Sequence, residues 1–199
     1  MIKRTDIEIM APVGCYESLH AAINAGANSV YFGIGRLNMR SASAANFSES
    51  DMEQIVEIAH KAGVKTYLTV NTIIYDDELK AMQEVVNKAK EVGVDAIIAS
   101  DLAVITYAYH VGVEVHISTQ CNISNSEAVK FFSQWADVVV LAREVSLEQI
   151  AEVHRCIVEQ DIRGPKGELV EIEMFAHGAF AYCFYGKAFC LSRINAISH

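Results

Sequence analysis

Four times in this chain a helical stretch stops on a glycine, passes through one or two small or apolar residues, and enters a short apolar run. The four glycines are Gly26, Gly63, Gly93 and Gly112. A glycine there fits a helix C-terminus, because it takes the left-handed backbone without steric cost. The runs that follow, Ser29–Ile34, Val64–Val70, Asp95–Ala99 and Val113–Ile117, are rich in β-branched and aromatic residues and read as strands. Three of the four turn polar at their ends, in Asn71, in Ser100-Asp101 and in Ser118-Thr119-Gln120-Cys121-Asn122. The same form extends the series outward. Ile7–Ala11 reads as a first strand closed by Pro12-Val13-Gly14, Asp137–Ala142 as a sixth ending in Arg143-Glu144, and Glu171–Ala176 as a seventh ending in His177-Gly178. Between them lie predicted helices over Tyr16–Ala25, to Ala62, to Val92, to His110, to Trp135 and to Glu159. Capping boxes at Ser50-x-x-Glu53, Ser124-x-x-Glu127 and Ser146-x-x-Gln149 mark three of their starts.

Strands that alternate with helices pair in parallel, since each crossover returns the chain to the same end of the sheet. About seven such units predict an α/β fold, a TIM-barrel-like (β/α) barrel that is incomplete or irregularly closed. An open doubly wound sheet is the competing architecture. It usually carries G-x-G-x-x-G after its first strand, and the residues here are Ala11-Pro12-Val13-Gly14-Cys15. The chain of 199 residues is expected to form a single barrel-like domain, shorter than the ~250 residues of a complete barrel. The segment Phe180–Ile197 is a candidate for closing the ring.

Composition narrows the partners. With 52% hydrophobic and 21% charged residues the chain reads as globular and soluble, and no apolar run approaches a membrane span. Five cysteines without a disulfide framework point to the cytoplasm. The net charge of −9 argues against this chain alone gripping a nucleic acid. An incomplete barrel exposes strand edges, which implies a homo-oligomer or a partner subunit.

The strand ends are the candidate site. Asn71, Asp101, Ser118, Gln120, Asn122 and Arg143 would share the C-terminal rim, with Arg40 and Asn46 folding over it from the loop Gly35–Ser48. Such a set suits a peptide or a small anionic ligand: arginine grips carboxylates, and amides and hydroxyls fix orientation. Cys121 is the candidate nucleophile, with His177 or Glu144 as base. Asp101 also suits helix capping, Ser124 and Ser146 read as caps, and His116, inside its strand, suits a packed interior position. Cys183 and Cys190 are candidate metal ligands, without a C-x-x-C motif.

In order along the chain, Ile9-Met10-Ala11-Pro12-Val13-Gly14, Asn28–Gly33, Arg40 with Asn46-Phe47, Ala59-His60, Tyr67–Asn71, Ser118–Asn122, Leu141–Glu144 and Phe175–Ala179 resemble the blocks of the collagenase-like peptidase family U32. The resemblance implies a bacterial or archaeal cytoplasmic protein with a barrel-like N-terminal domain and further chain beyond the His-Gly-Ala block. It implies a peptidase (hydrolase) in name. Its alternative is oxygen-independent hydroxylation of transfer or ribosomal RNA or of quinone precursors, with a prephenate-like donor and an iron–sulfur cluster. In cluster-bearing members two cysteines six residues apart follow the His-Gly-Ala block, the first four positions after the His. Those positions here are Ala181 and Ala188, and Cys183 and Cys190 keep the spacing two positions later.

Overall fold

The computed structural model describes residues 7–38, 47–176, 181–184 and 187–190. Seven strands, β1 (Met10–Pro12), β2 (Ser29–Gly33), β3 (Lys65–Val70), β4 (Ala96–Ala99), β5 (Glu114–Ile117), β6 (Val138–Val140) and β7 (Glu171–Glu173), form one sheet in the order of the sequence. Every neighbouring pair is parallel. Between them run α1 (Tyr16–Asn24), α2 (Met52–Lys61), α3 (Leu79–Val92), α4 (Leu102–Val111), α5 (Ser126–Phe132) and α6 (Leu147–Glu159). An order that never reverses makes every right-handed crossover pass over the same face, so the helices lie on one side and the sheet curls away from them. That excludes the doubly wound alternative, whose order reverses midway. The fold is an open, TIM-barrel-like half-barrel. Among the described residues β1 and β7 are its edges. A separate antiparallel hairpin pairs β8 (Ala181–Phe184) with β9 (Lys187–Cys190).

The main core lies between sheet and helices. Val30, Phe32, Leu68, Ile97, Val115 and Ile117 on the strands meet Leu19, Met52, Val86 and Ile105 on the helices, all buried. The other face of the sheet carries a much smaller apolar cluster, Tyr67, Ala96 and Ile98 with Met10 and Tyr31. The helix stops are as expected. Gly93 and Gly112 sit at φ 82° and 79°, and Gly26 and Gly63 follow Ala25 and Ala62 at φ 82° and 71°.

Several boundaries shift for local reasons. The first strand starts at Met10 rather than Ile7, because the Asn28 side chain accepts the Ile9 N–H (2.9 Å) and occupies that donor. The box expected at Ser50 and Glu53 forms instead between Ser48 and Asp51, ahead of a 3₁₀ turn over Glu49–Asp51. The cap expected from Ser124 is supplied by Asn125, whose Oδ1 accepts Ala128 N–H at 2.9 Å. The box at Ser146 and Gln149 forms as expected. The sixth strand ends at Val140, not Ala142: Ala142 N–H turns to the carbonyl of Ile123 (2.8 Å). The seventh ends at Glu173 rather than Ala176.

Candidate functional site

Parallel pairing aligns the strand tips. Val70, Ala99, Ile117 and Val139 are successive register partners, as are Val140 and Glu173. One residue further along, Asn71, Ser100, Ser118, Val140 and Glu173 therefore form one row. Their side chains point away from the helices, since alternate residues of a strand take opposite faces.

Strand β5 sets the geometry of this row. Past Ile117 the chain enters a 3₁₀ turn over Thr119–Cys121 and leaves it through Asn122 at φ 51°. Asn tolerates that left-handed conformation because its short polar side chain can bond locally. The reversal folds Gln120 back toward β3. Asn71 Nδ2 donates to Ser118 Oγ and to Gln120 Oε1, each at 3.4 Å, and the Ser118 hydroxyl donates to the same Gln120 oxygen. Ser100 Oγ donates to the Asn71 carbonyl at 3.1 Å. Asn71, Ser100, Ser118 and Gln120 thus form a cross-linked polar group on three adjacent tips.

Cys121 stands beside this group, in surroundings that raise its thiol pKa. Its thiol lies 3.5 Å from the Ser100 carbonyl, and burial, followed by the negative charge of Asp101, pushes its pKa up to about 11. A nucleophilic cysteine needs the opposite environment, positive and partly open. Asp101 uses both carboxylate oxygens structurally. One accepts Ala103 N–H (2.8 Å) as the α4 cap, and the other accepts Ile74 N–H (3.0 Å), tying down the loop after β3. Asn122 is exposed at the turn. Arg143 and Glu144 are exposed past β6. The Arg143 guanidinium lies 4.5 Å from the Phe175 ring centre. That contact steadies its flat face and leaves its N–H fork without a carboxylate partner among the described residues. Arg40, Asn46 and His177 lie outside the described residues.

The face opposite the helices carries ionisable residues that alternation alone did not single out. Glu114 is held at about 2: burial works against its charge, but hydrogen bonds from His116 and Lys166 and their positive charges outweigh it. Glu8 accepts from Lys65 Nζ (2.7 Å) and from the Tyr67 hydroxyl (2.5 Å). Burial, then the Glu8 contact, drives the Tyr67 phenol strongly upward. Glu173 differs. It has no hydrogen-bond or ion-pair partner among the described residues, and burial pushes its carboxyl up to about 6. The signal in the sequence was Glu171-Ile172-Glu173, two acids on one face of a strand whose other face packs Ile172 into the core.

At the family's two cluster positions the residues do not fit a cluster. In the β8–β9 hairpin Cys183 pairs with Ala188 and Cys190 with Ala181. The two family ligand positions thus carry methyl groups, which cannot coordinate. Among the described residues no group of three or more His, Cys, Asp or Glu converges on a point.

Comparison with known proteins bears directly on this geometry. The Peptidase family U32 model matches residues 14–197. A protein named collagenase from Porphyromonas gingivalis is 57% identical over 92% of this chain and 44% of its own length. The 23S rRNA 5-hydroxycytidine C2501 synthase of Escherichia coli is 33% identical over 92% of this chain and 26% of its own. The tRNA hydroxylation protein P1 of Bacillus subtilis is 32% identical over 95% of this chain and 43% of its own. The chain spans less than half the length of these relatives. The solved structure of the U32 peptidase Mk0906 superposes with a TM-score of 0.65 at 12% identity, over 84% of this chain and 66% of that one, and supports the fold. Among the described residues no helix is long and apolar enough to cross a membrane.

Proposed function

From the premise that this chain belongs to peptidase family U32, we propose that it is a ligand-binding barrel unit. It holds a small carboxylate-bearing anion at its strand tips, and it serves the kind of chemistry named in its hydroxylation relatives rather than cysteine-dependent peptide hydrolysis. The observation that carries this reading is the state of Cys121. A thiol whose pKa is pushed up to about 11, with a carboxylate as its charged neighbour, is protonated at neutral pH and is a poor nucleophile. Beside it stand groups suited to recognition, the amides of Asn71 and Gln120 and the Ser118 hydroxyl; past β6, Arg143 lies against Phe175 with no carboxylate partner among the described residues. Because Ala181 and Ala188 occupy the cluster positions, no step is assigned to a cluster in this chain.

Calorimetry with prephenate, and with malonate as the plain dicarboxylate control, tests this. Binding should weaken about ten-fold in Arg143→Ala and in Gln120→Ala, the loss expected for a charge-assisted hydrogen bond. Cys121→Ser should bind as the parent does. Absence of binding by either anion overturns the reading. The peptidase reading is favoured by the 57% identity to the Porphyromonas collagenase. Hydrolysis of gelatin that disappears in Cys121→Ser would establish it in place of ours.

A further inference from the structure

His116 and Glu173, on the inner face of the sheet, each keep a polar atom without a hydrogen-bond partner among the described residues. His116 is 4% exposed, its Nε2 lies 3.4 Å from Glu114, and its Nδ1 is buried with no hydrogen bond. Glu173, on the same face two strands away, has no partner among the described residues. Its immediate neighbours on β6, Val138 and Val140, offer no charge. An unpaired buried polar atom such as His116 Nδ1 carries a free-energy cost, and Glu173, only partly exposed, offers a second unpaired group on the same surface. Glu173 also belongs to the register row of Asn71, Ser100 and Ser118, so its carboxyl lies on the same face as the proposed anion site.

We propose that Glu173 is the proton-bearing member of that site: when a carboxylate ligand binds at the strand tips, Glu173 takes up a proton from solvent and donates its O–H to the ligand, while His116 Nδ1 faces the same occupant as its second contact. The proposal rests on the ligand reading above and adds a residue and a proton to it. The chemistry follows from charge. A ligand carboxylate set beside an ionised Glu173 repels it, so binding favours one proton held between them. A carboxyl already displaced to about 6 by burial needs little further shift to hold that proton at neutral pH. The other charges acting here are those of His116, which favours ionisation of Glu173, and of Glu8, which opposes it. Glu8 is itself paired with Lys65 and Tyr67, and Glu114 with His116 and Lys166. Glu171, two residues before Glu173 on the same face, is exposed to solvent, whereas Glu173 is more deeply placed and has no donor among the described residues. The balance is simple: one proton enters from buffer per ligand bound, no bond in the ligand breaks, and nothing is oxidised.

Two measurements decide it. Carboxyl ¹³C NMR of the free protein, with Glu173 assigned by its absence in Glu173→Gln, should show a midpoint near 6. A midpoint at the ordinary carboxylate value overturns the proposal whatever binds. Calorimetry of prephenate near pH 7, in buffers of different ionisation enthalpy, should show uptake of about half to one proton per ligand. Glu173→Gln should abolish that uptake and flatten the pH dependence of binding. Uptake that survives in Glu173→Gln overturns the proposal while leaving the anion site standing. A midpoint near 6 without any ligand binding overturns the anion site and the proton uptake with it. A thermal melt of each variant confirms that it is folded. His116→Gln should retain binding at reduced affinity, and an unchanged affinity removes His116 from the site.

Discussion

The two faces of this one sheet are built to opposite rules. The helix-facing side carries Phe32, Leu68, Ile97, Val115 and Ile117, all essentially fully buried, and derives its stability from area removed from water. The inner side carries Lys65 and Tyr67 on β3 and Glu114 and His116 on β5, one residue out of phase with that core, and Glu173 on β7. There, stability depends on how well each charge is matched. Glu114 is matched by His116 and Lys166, and Glu8 by Lys65 and Tyr67. Glu173 is not. The difference teaches that one β-strand can serve fold on its odd positions and chemistry on its even ones, because a side-chain period of two keeps the sets apart.

The largest test of that contrast is a pair of truncations. Leu68→Ala opens a cavity in the continuous sheet–helix core and should cost about 3 kcal/mol in urea unfolding. Ile98→Ala, facing the small inner cluster, should cost less, because fewer apolar neighbours lose contact. Equal losses would show that the inner face is as much a packed core as the outer one.

A second test uses pH, and the two acids should move in opposite directions. The Glu114 pKa is depressed, so its contribution is present above the ordinary carboxylate range and is lost as pH falls toward about 2. Its side chain is 22% exposed and Lys166 is half-exposed, so the Coulomb part is screened. Glu114→Gln should therefore cost at most about 2–3 kcal/mol at neutral pH and little at the acid end. The Glu173 pKa is raised, so its contribution is present below the ordinary range and is lost as pH rises through about 6. Glu173→Gln should then stabilise the fold at neutral pH by about 1–2 kcal/mol and do nothing near pH 4. Denaturation midpoints across pH check both signs. Parallel curves for the two variants would erase the distinction between matched and unmatched charge.

How far the fold and the site were legible in the sequence divides along the same line. The glycine stops at Gly26, Gly63, Gly93 and Gly112 marked the units because left-handed backbone strongly selects residue type. Unit order followed, since parallel strands joined by single helices have few arrangements. The gathering of Asn71 and Ser118 was legible too, being a consequence of register; Gln120 joins them through the 3₁₀ turn after β5. What was not legible depends on contacts far apart in sequence. Asp101 looked equally suited to capping and to the site, and only the position of Ile74 shows that its second oxygen is also taken. Cys121 read as a nucleophile, but its protonation state depends on burial and on a neighbouring carboxylate. The inner-face pairing of Lys166 with Glu114 joins residues 52 positions apart. It depends on the turn at Gly164, where a Cβ would come within 2.5 Å of Asp137 Oδ1.

The smallest effect sharpens the contrast at a single helix end. Ser124 and Asn125 are adjacent and polar, and either could cap α5 by residue type. The structure gives the role to Asn125, extended at φ −153° and ψ 165°, with its Oδ1 on Ala128 N–H. Asn125→Ala should cost about 1 kcal/mol, the usual value of a lost cap, and Ser124→Ala should stay within about 0.5 kcal/mol. The difference reaches beyond α5, because Ile123 just upstream is bridged to Leu141. The cap therefore fixes where the chain leaves the 3₁₀ turn that carries Gln120. If Asn125→Ala also weakens anion binding at unchanged fold, the helix start is part of what holds the site in place. If only stability falls, the hydrogen bonds among Asn71, Ser118 and Gln120 position the site without it.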